Sequence, residues 1–169
     1  MSRGFARTQD TAVIDALQAA LAAEHAAVYG YGAAGARMRG YRQGAALRAW
    51  TAHRARRDQL IAMLVARGAR PVAAADVYQL PFPVTSARKA AALAAVIEDG
   101  VTRAYLGIVG VPDPGIRRYG ALAMQDSAAR AARWRGATVE FPGLPRSAMA
   151  RQPVHATDRE TPSRVPGEP

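Results

Sequence analysis

Apolar residues recur at steps of three and four along four stretches of the chain, the spacing of helices that each turn one face to a core. Ile14, Leu17, Leu21, Val28 and Tyr31 mark the first stretch, and Ala46, Trp50, Leu60 and Leu64 the second. Ala91, Ala94, Val101, Tyr105 and Ile108 mark the third, and Ile116, Tyr119 and Ala123 the fourth. Local punctuation sets the expected boundaries. Thr8 or Asp10 can cap a first helix over about residues 9–37. Gly30, Gly32 and Gly35 weaken its last turns by about 1 kcal/mol each, and they either permit close helix contact or mark fraying. The second helix is expected over about 42–67, with Gly68 just past its end and Pro71 beyond. The third follows Thr85 as a cap and covers 86–109, and the fourth covers 114–135, opened by Asp113 and Pro114 and stopped by Gly136.

Residues 69–85, ARPVAAADVYQLPFPVT, hold three prolines and no helical period. A helix of about 26 residues is roughly 39 Å long, and about 17 extended residues reach roughly 56 Å, so this segment can cross the full length of a bundle. The other two connections are short. The expected fold class is therefore all-α, a ferritin-like four-helix bundle of two antiparallel hairpins joined by one long crossover. On this reading 1–8 is an N-terminal segment, 9–145 the bundle and 146–169 a disordered tail of prolines, Ser, Thr and mixed charge. The stretch VEFPGLP before the tail is expected to pack on the bundle through Phe141 and Leu144.

The four stripes are apolar except near their centres. Glu24 interrupts the first, His53 the second, Glu98 the third and Asp126 the fourth, each close to its helix midpoint. Midpoints of similar-length helices share a level whichever way each helix runs, so four polar groups are expected to converge on one layer. Glu24 and Glu98 are each followed seven residues later by a tyrosine, Tyr31 and Tyr105. His53 and Asp126 are each followed four later by an arginine, Arg57 and Arg130. The two hairpins read as approximate copies, with these tyrosines and arginines as further polar-core residues.

Composition adjusts the picture in three places. Hydrophobic residues make up 50% of the 169, much of them alanine, while aromatics are 7%, which favours helix. The absence of cysteine removes disulfides, thiolate nucleophiles and zinc–thiolate sites. Net charge is +10, yet Lys89 is the only lysine, so nearly all positive charge is arginine, as the codon bias of a GC-rich genome produces. Seven arginines against one aspartate lie in 42–70, and five against one in 117–135, so a basic surface and nonspecific nucleic-acid binding stand as a minor alternative. The opening MSRGFARTQD lacks a signal-peptide apolar run and no stretch reaches membrane-spanning length, so a cytoplasmic protein without a membrane role is expected. A second copy of the chain is the partner left open.

The motifs EHAAVYGYG, AHRARRD, YQLPFPV, IEDG, QDSAARAARWRG and FPGLP resemble, in order and over about residues 10–145, an uncharacterised ferritin-like domain family of GC-rich bacteria. The resemblance implies the ferritin-like fold and little about activity. In di-iron members of that fold, helices one and three each supply a Glu and helices two and four each supply Glu-x-x-His. Glu24 and Glu98 meet the first requirement, and His53 and Asp126 stand where the other two acids would be, but Arg56 and Ala129 occupy the histidine positions. The set Glu24, His53, Glu98 and Asp126 is thus a candidate for one iron or manganese ion, which would make the protein a metal-binding oxidoreductase. Arg57 and Arg130 oppose this, because guanidinium groups repel a cation and pair with carboxylates. The leading expectation is a binding or structural module with an ion-pair core, catalytic residues unknown. His25 and His155 are expected at the boundary or in solvent, Asp58 and Asp99 in surface ion pairs, and Trp50 and Trp134 in helix packing. YGYGAAG follows no strand and is no phosphate loop, and no nucleophile elbow is present.

Overall fold

A computed structural model describes residues 2–139 and Pro142, with side chains from Asp10 onward. Among these residues the chain forms four helices and no strand: α1 (Ser2–Gly35), α2 (Gly40–Val65), α3 (Ala87–Val109) and α4 (Pro114–Arg135). The expected tail 146–169, with His155, and the expected packing of Phe141 and Leu144 lie outside the described residues. No described helix is long and apolar enough to cross a membrane.

Helix ends follow local chemistry, with two departures. α1 begins at Ser2, so Thr8 and Asp10 lie inside the helix and neither caps it. No proline interrupts residues 2–10, and an isolated Thr or Asp is only mildly unfavourable within a helix. The cap of α3 is Ser86, one residue after Thr85, its hydroxyl accepting from Lys89 N at 3.2 Å. Asp113 caps α4 by accepting from the amides of Gly115 (2.9 Å) and Ile116 (3.0 Å), with Pro114 at the first helical position. α2 closes in a Schellman motif: Ala69 N bonds Leu64 O and Gly68 N bonds Val65 O, with Gly68 at φ +68°.

α1 packs against both α2 and α3, and α3 packs most extensively against α4. Two glycines set the close approaches. A methyl group at Gly30 would strike Ile97 of α3, and one at Gly120 would strike Ile108 across the α3–α4 contact. Gly30 therefore serves helix contact, whereas Gly32 faces open space. Residues 66–86 are tied back to the bundle at several points. Gln18 clamps them, donating to Arg70 O (2.7 Å) and accepting from Val72 N (2.8 Å). His25 meets Val72 O at 3.2 Å, and Leu80, Phe82 and Val84 pack on the core.

The core has two apolar parts. One is built from Val13, Leu17, Leu21, Leu60, Leu64, Val101, Ile108 and Ile116, with Tyr105 at its inner edge. The other is mostly alanine, with Ala34, Ala46, Ala49, Ala90, Ala91 and Ala94 around Tyr31, Met38 and Leu93. Along α1, α2 and α3 the polar residues Glu24, His53 and Glu98 fall between these two parts, and each is fully buried.

Candidate functional site

A carboxylate on a buried stripe is costly unless donors surround it. Here α1 and α3 solve the problem for each other. Tyr31 of α1 donates its hydroxyl to Glu98 Oε1 of α3 at 2.6 Å. Tyr105 of α3 donates to Glu24 Oε1 of α1 at 2.8 Å. The seven-residue Glu-to-Tyr spacing, two helical turns, thus becomes a reciprocal exchange between the helices. Burial, then the neighbouring carboxylate, pushes both phenol pKa values upward, so the two tyrosines stay protonated as donors.

His53 of α2 joins the two acids. Its Nδ1 lies 2.6 Å from Glu24 Oε2 and its Nε2 lies 3.2 Å from Glu98 Oε1. An ionised carboxylate can only accept, so both ring nitrogens must donate, and the ring is an imidazolium. Burial opposes that charge, but the hydrogen bonds to Glu24 and Glu98 outweigh it and raise the His53 pKa above its ordinary value. The Tyr31 ring stacks on the imidazole at 5.2 Å.

Arg130 of α4 completes the layer. Its Nε donates to Glu98 Oε1 at 2.6 Å and its Nη1 to Asp126 Oδ2 at 2.6 Å. Burial disfavours the Glu98 carboxylate, but His53 and Arg130 together hold its pKa below the usual range. Two carboxylates therefore face one imidazolium and one guanidinium, and the inner set is electrically balanced. Asp126 is balanced in turn by Arg56, which also donates to Ser127 Oγ at 3.3 Å.

Two sequence expectations are corrected here. Asp126 does not enter the buried layer: its side chain is 49% exposed, and Ser127 takes the inward position. α4 buries Ile116, Gly120, Ala123, Ser127 and Ala131, a stripe rotated by one residue from the expected one, because Gly120 at the α3 contact draws that side inward. Arg57 likewise turns aside to Asp58, and Arg56 makes the cross-helix contact. Three residues and four residues beyond His53 lie on opposite flanks of its stripe, and the flank bearing Arg56 is the one facing α4. Ser127 and Arg56 are not assigned from sequence, although an arginine three residues after His53 was the visible signal for Arg56. Trp134 was expected only to pack; it donates Nε1 to Tyr31 Oη at 2.8 Å and so extends the network outward. Asp58 and Asp99 pair with Arg57 and Arg135.

As placed, this donor set does not fit a resident metal ion. Glu24 uses both oxygens and His53 both nitrogens within the protein, while Glu98 Oε1 accepts from three groups. Glu98 Oε2 is left without a hydrogen-bond partner among the described residues, and one oxygen is short of the several donors an iron or manganese ion takes. No group of three or more His, Asp or Glu side chains among the described residues is arranged around a common point for an ion.

Residues 16–146 match a family described as a domain of unknown function, DUF4439. The chain is also similar to a conserved hypothetical protein from Mycobacterium tuberculosis whose crystal structure is known, at 38% identity and a TM-score of 0.72, covering 75% of this chain and 96% of that one. No curated protein matches the chain.

Proposed function

The chain belongs to the DUF4439 family, and from that premise we propose that it is a ferritin-like module, two antiparallel hairpins joined by the crossover 66–86, whose centre is closed by ion pairs instead of a di-iron site. Short connections at 36–39 and 110–113 beside one long one support the topology. The observation that carries the reading of the centre is His53, which spends both ring nitrogens on Glu24 and Glu98. A metal-ligating histidine keeps one nitrogen lone pair for the ion and gives only the other to a carboxylate. On this reading the layer is structural, and the protein acts through its surfaces, as a binding module.

The test is elemental analysis of iron, manganese and zinc in protein purified without chelator, paired with thermal melts before and after chelator. Metal far below one equivalent and unchanged melts are expected. Stoichiometric metal whose removal lowers the melting temperature would overturn the ion-pair centre and favour a metal-binding oxidoreductase.

A further inference from the structure

Several arginines are neutralised by acids or bonded to backbone carbonyls. Arg56 pairs with Asp126, Arg57 with Asp58, Arg67 with Asp113 and Arg135 with Asp99, while Arg39 and Arg117 bond backbone carbonyls. Three arginines without an acid partner gather at one place. Where the start of α2 faces the end of α4, a cavity of about 320 Å³ is lined by Arg42, Arg48, Arg130 and Arg133, with Tyr41 and Trp134, and by no acidic residue. Arg42 and Arg133 make no hydrogen bond or ion pair among the described residues, and Arg48 only sits over the Tyr41 ring at 5.9 Å. Guanidinium groups gathered without counter-charges repel one another, and a concave wall focuses their field.

We propose that this cavity binds a small organic phosphate carrying a planar ring, the chemical class of a nucleoside phosphate. Guanidinium forks match phosphate oxygens bidentately, and three arginines here have no acid partner to displace. The volume lies within the range of small-molecule sites. A lone phosphate would leave much of it unfilled, and the remaining walls, Tyr41, Trp134 and the alanines Ala45, Ala49 and Ala91, offer apolar and aromatic surface to a ring. The inner wall is fixed in advance. Arg130 is held by Glu98 and Asp126, and Trp134 by Tyr31, so the ordering of these side chains is complete before a ligand arrives. A nucleic-acid strand would supply the same phosphate chemistry, but the cavity, about 320 Å³ and lined by α2, α4 and Ala91 of α3, has the size of a single small molecule. The pocket stands independently of how the buried centre is read, so its failure and a positive metal analysis are separate outcomes.

Calorimetry and tryptophan fluorescence on the full chain, at about 150 mM salt where distant surface charge is screened, test this with four probes: ADP, adenosine, inorganic phosphate and a single-stranded DNA dodecamer. ADP is expected to bind with a dissociation constant below about 1 mM, phosphate more weakly, and adenosine and the dodecamer not measurably. The double variant Arg42→Glu with Arg133→Glu is expected to weaken ADP by about tenfold or more, as loss of charge-assisted bonds to phosphate does. Arg54→Glu with Arg70→Glu carries the same charge change outside the cavity and is expected to leave ADP binding unchanged. Arg48→Gln, which adds no negative charge, is expected to weaken ADP as well, and circular dichroism checks that each variant is folded. Absence of ADP binding, equal losses in both double variants, or tighter binding of the dodecamer than of ADP would each overturn the proposal.

Discussion

The two apolar parts of the core, on either side of the Glu24–His53–Glu98 layer, are packed by different means. One is filled by branched aliphatic side chains from all four helices, and there Gly120 lets Ile108 reach the α4 backbone. The other is lined by alanines, which bring helix surfaces together but fill little volume, and larger groups from the periphery, Trp50, Phe82 and Trp134, cover it. The arginine-lined cavity and a second cavity beside Tyr31, Gly32 and Trp50 both border the alanine part. Dense aliphatic packing supplies stability, while small residues leave room that a site can use. The polar layer separates the two.

Breaking the layer has the largest expected effect. His53→Leu leaves Glu24 and Glu98 buried without their shared cation, and removal of one partner of a buried ion pair typically costs about 3–5 kcal/mol. Urea unfolding of wild type and variant measures it, and a loss under about 1 kcal/mol would mean that water replaces the imidazolium and the layer is not closed. The same layer predicts a pH profile. The His53 pKa is raised in the fold, so its contribution is full below the ordinary value of 6.5 and fades as pH climbs through the folded value. The Glu98 pKa is lowered, so its contribution is full above the ordinary 4.5 and fades as pH falls through the folded value. Stability from this pair should therefore be greatest between those ordinary values, and His53→Gln should remove the decline on the alkaline side.

A cavity scan sharpens the contrast between the two parts. Leu17→Ala in the aliphatic part should cost about 2–5 kcal/mol, since the surrounding side chains cannot collapse into the void. Ala94→Gly in the alanine part removes one methyl group and some helix preference, with an expected cost of about 1 kcal/mol. Equal losses in denaturant titrations would erase the distinction. Gly120→Ala probes the tight side from the other direction. The added methyl meets Ile108 Cβ at 2.8 Å, and overpacking of that kind costs about 1–3 kcal/mol. Gly32→Ala, at a position with open space, should be neutral or slightly stabilising in the same melts. A local effect is expected at the entry to the alanine part, where Ser86→Ala removes the α3 cap for about 1 kcal/mol and leaves the other helices intact.

The one-dimensional pattern alone determined a good deal. Glycine and proline have conformational requirements that neighbours cannot override, so Gly68, Gly136 and Pro114 mark helix ends that can be read without tertiary knowledge. Helical periodicity put Glu24, His53 and Glu98 on inward stripes, where the structure buries all three. The step of three or four residues, however, defines a face only to within about half a turn's width. That tolerance is why Asp126 and Arg57 were read inward, while Ser127 and Arg56 are the residues that meet across the α2–α4 boundary. Which helices are neighbours, and by what rotation, depends on where backbones can approach most closely, and Gly30 and Gly120 decide that only once Ile97 and Ile108 stand opposite them. The exchange of tyrosine donors between α1 and α3, and the gathering of unpaired arginines from α2 and α4 around one cavity, join residues far apart in the chain. Tertiary packing alone created those contacts, because no local spacing encodes the distance between two helices.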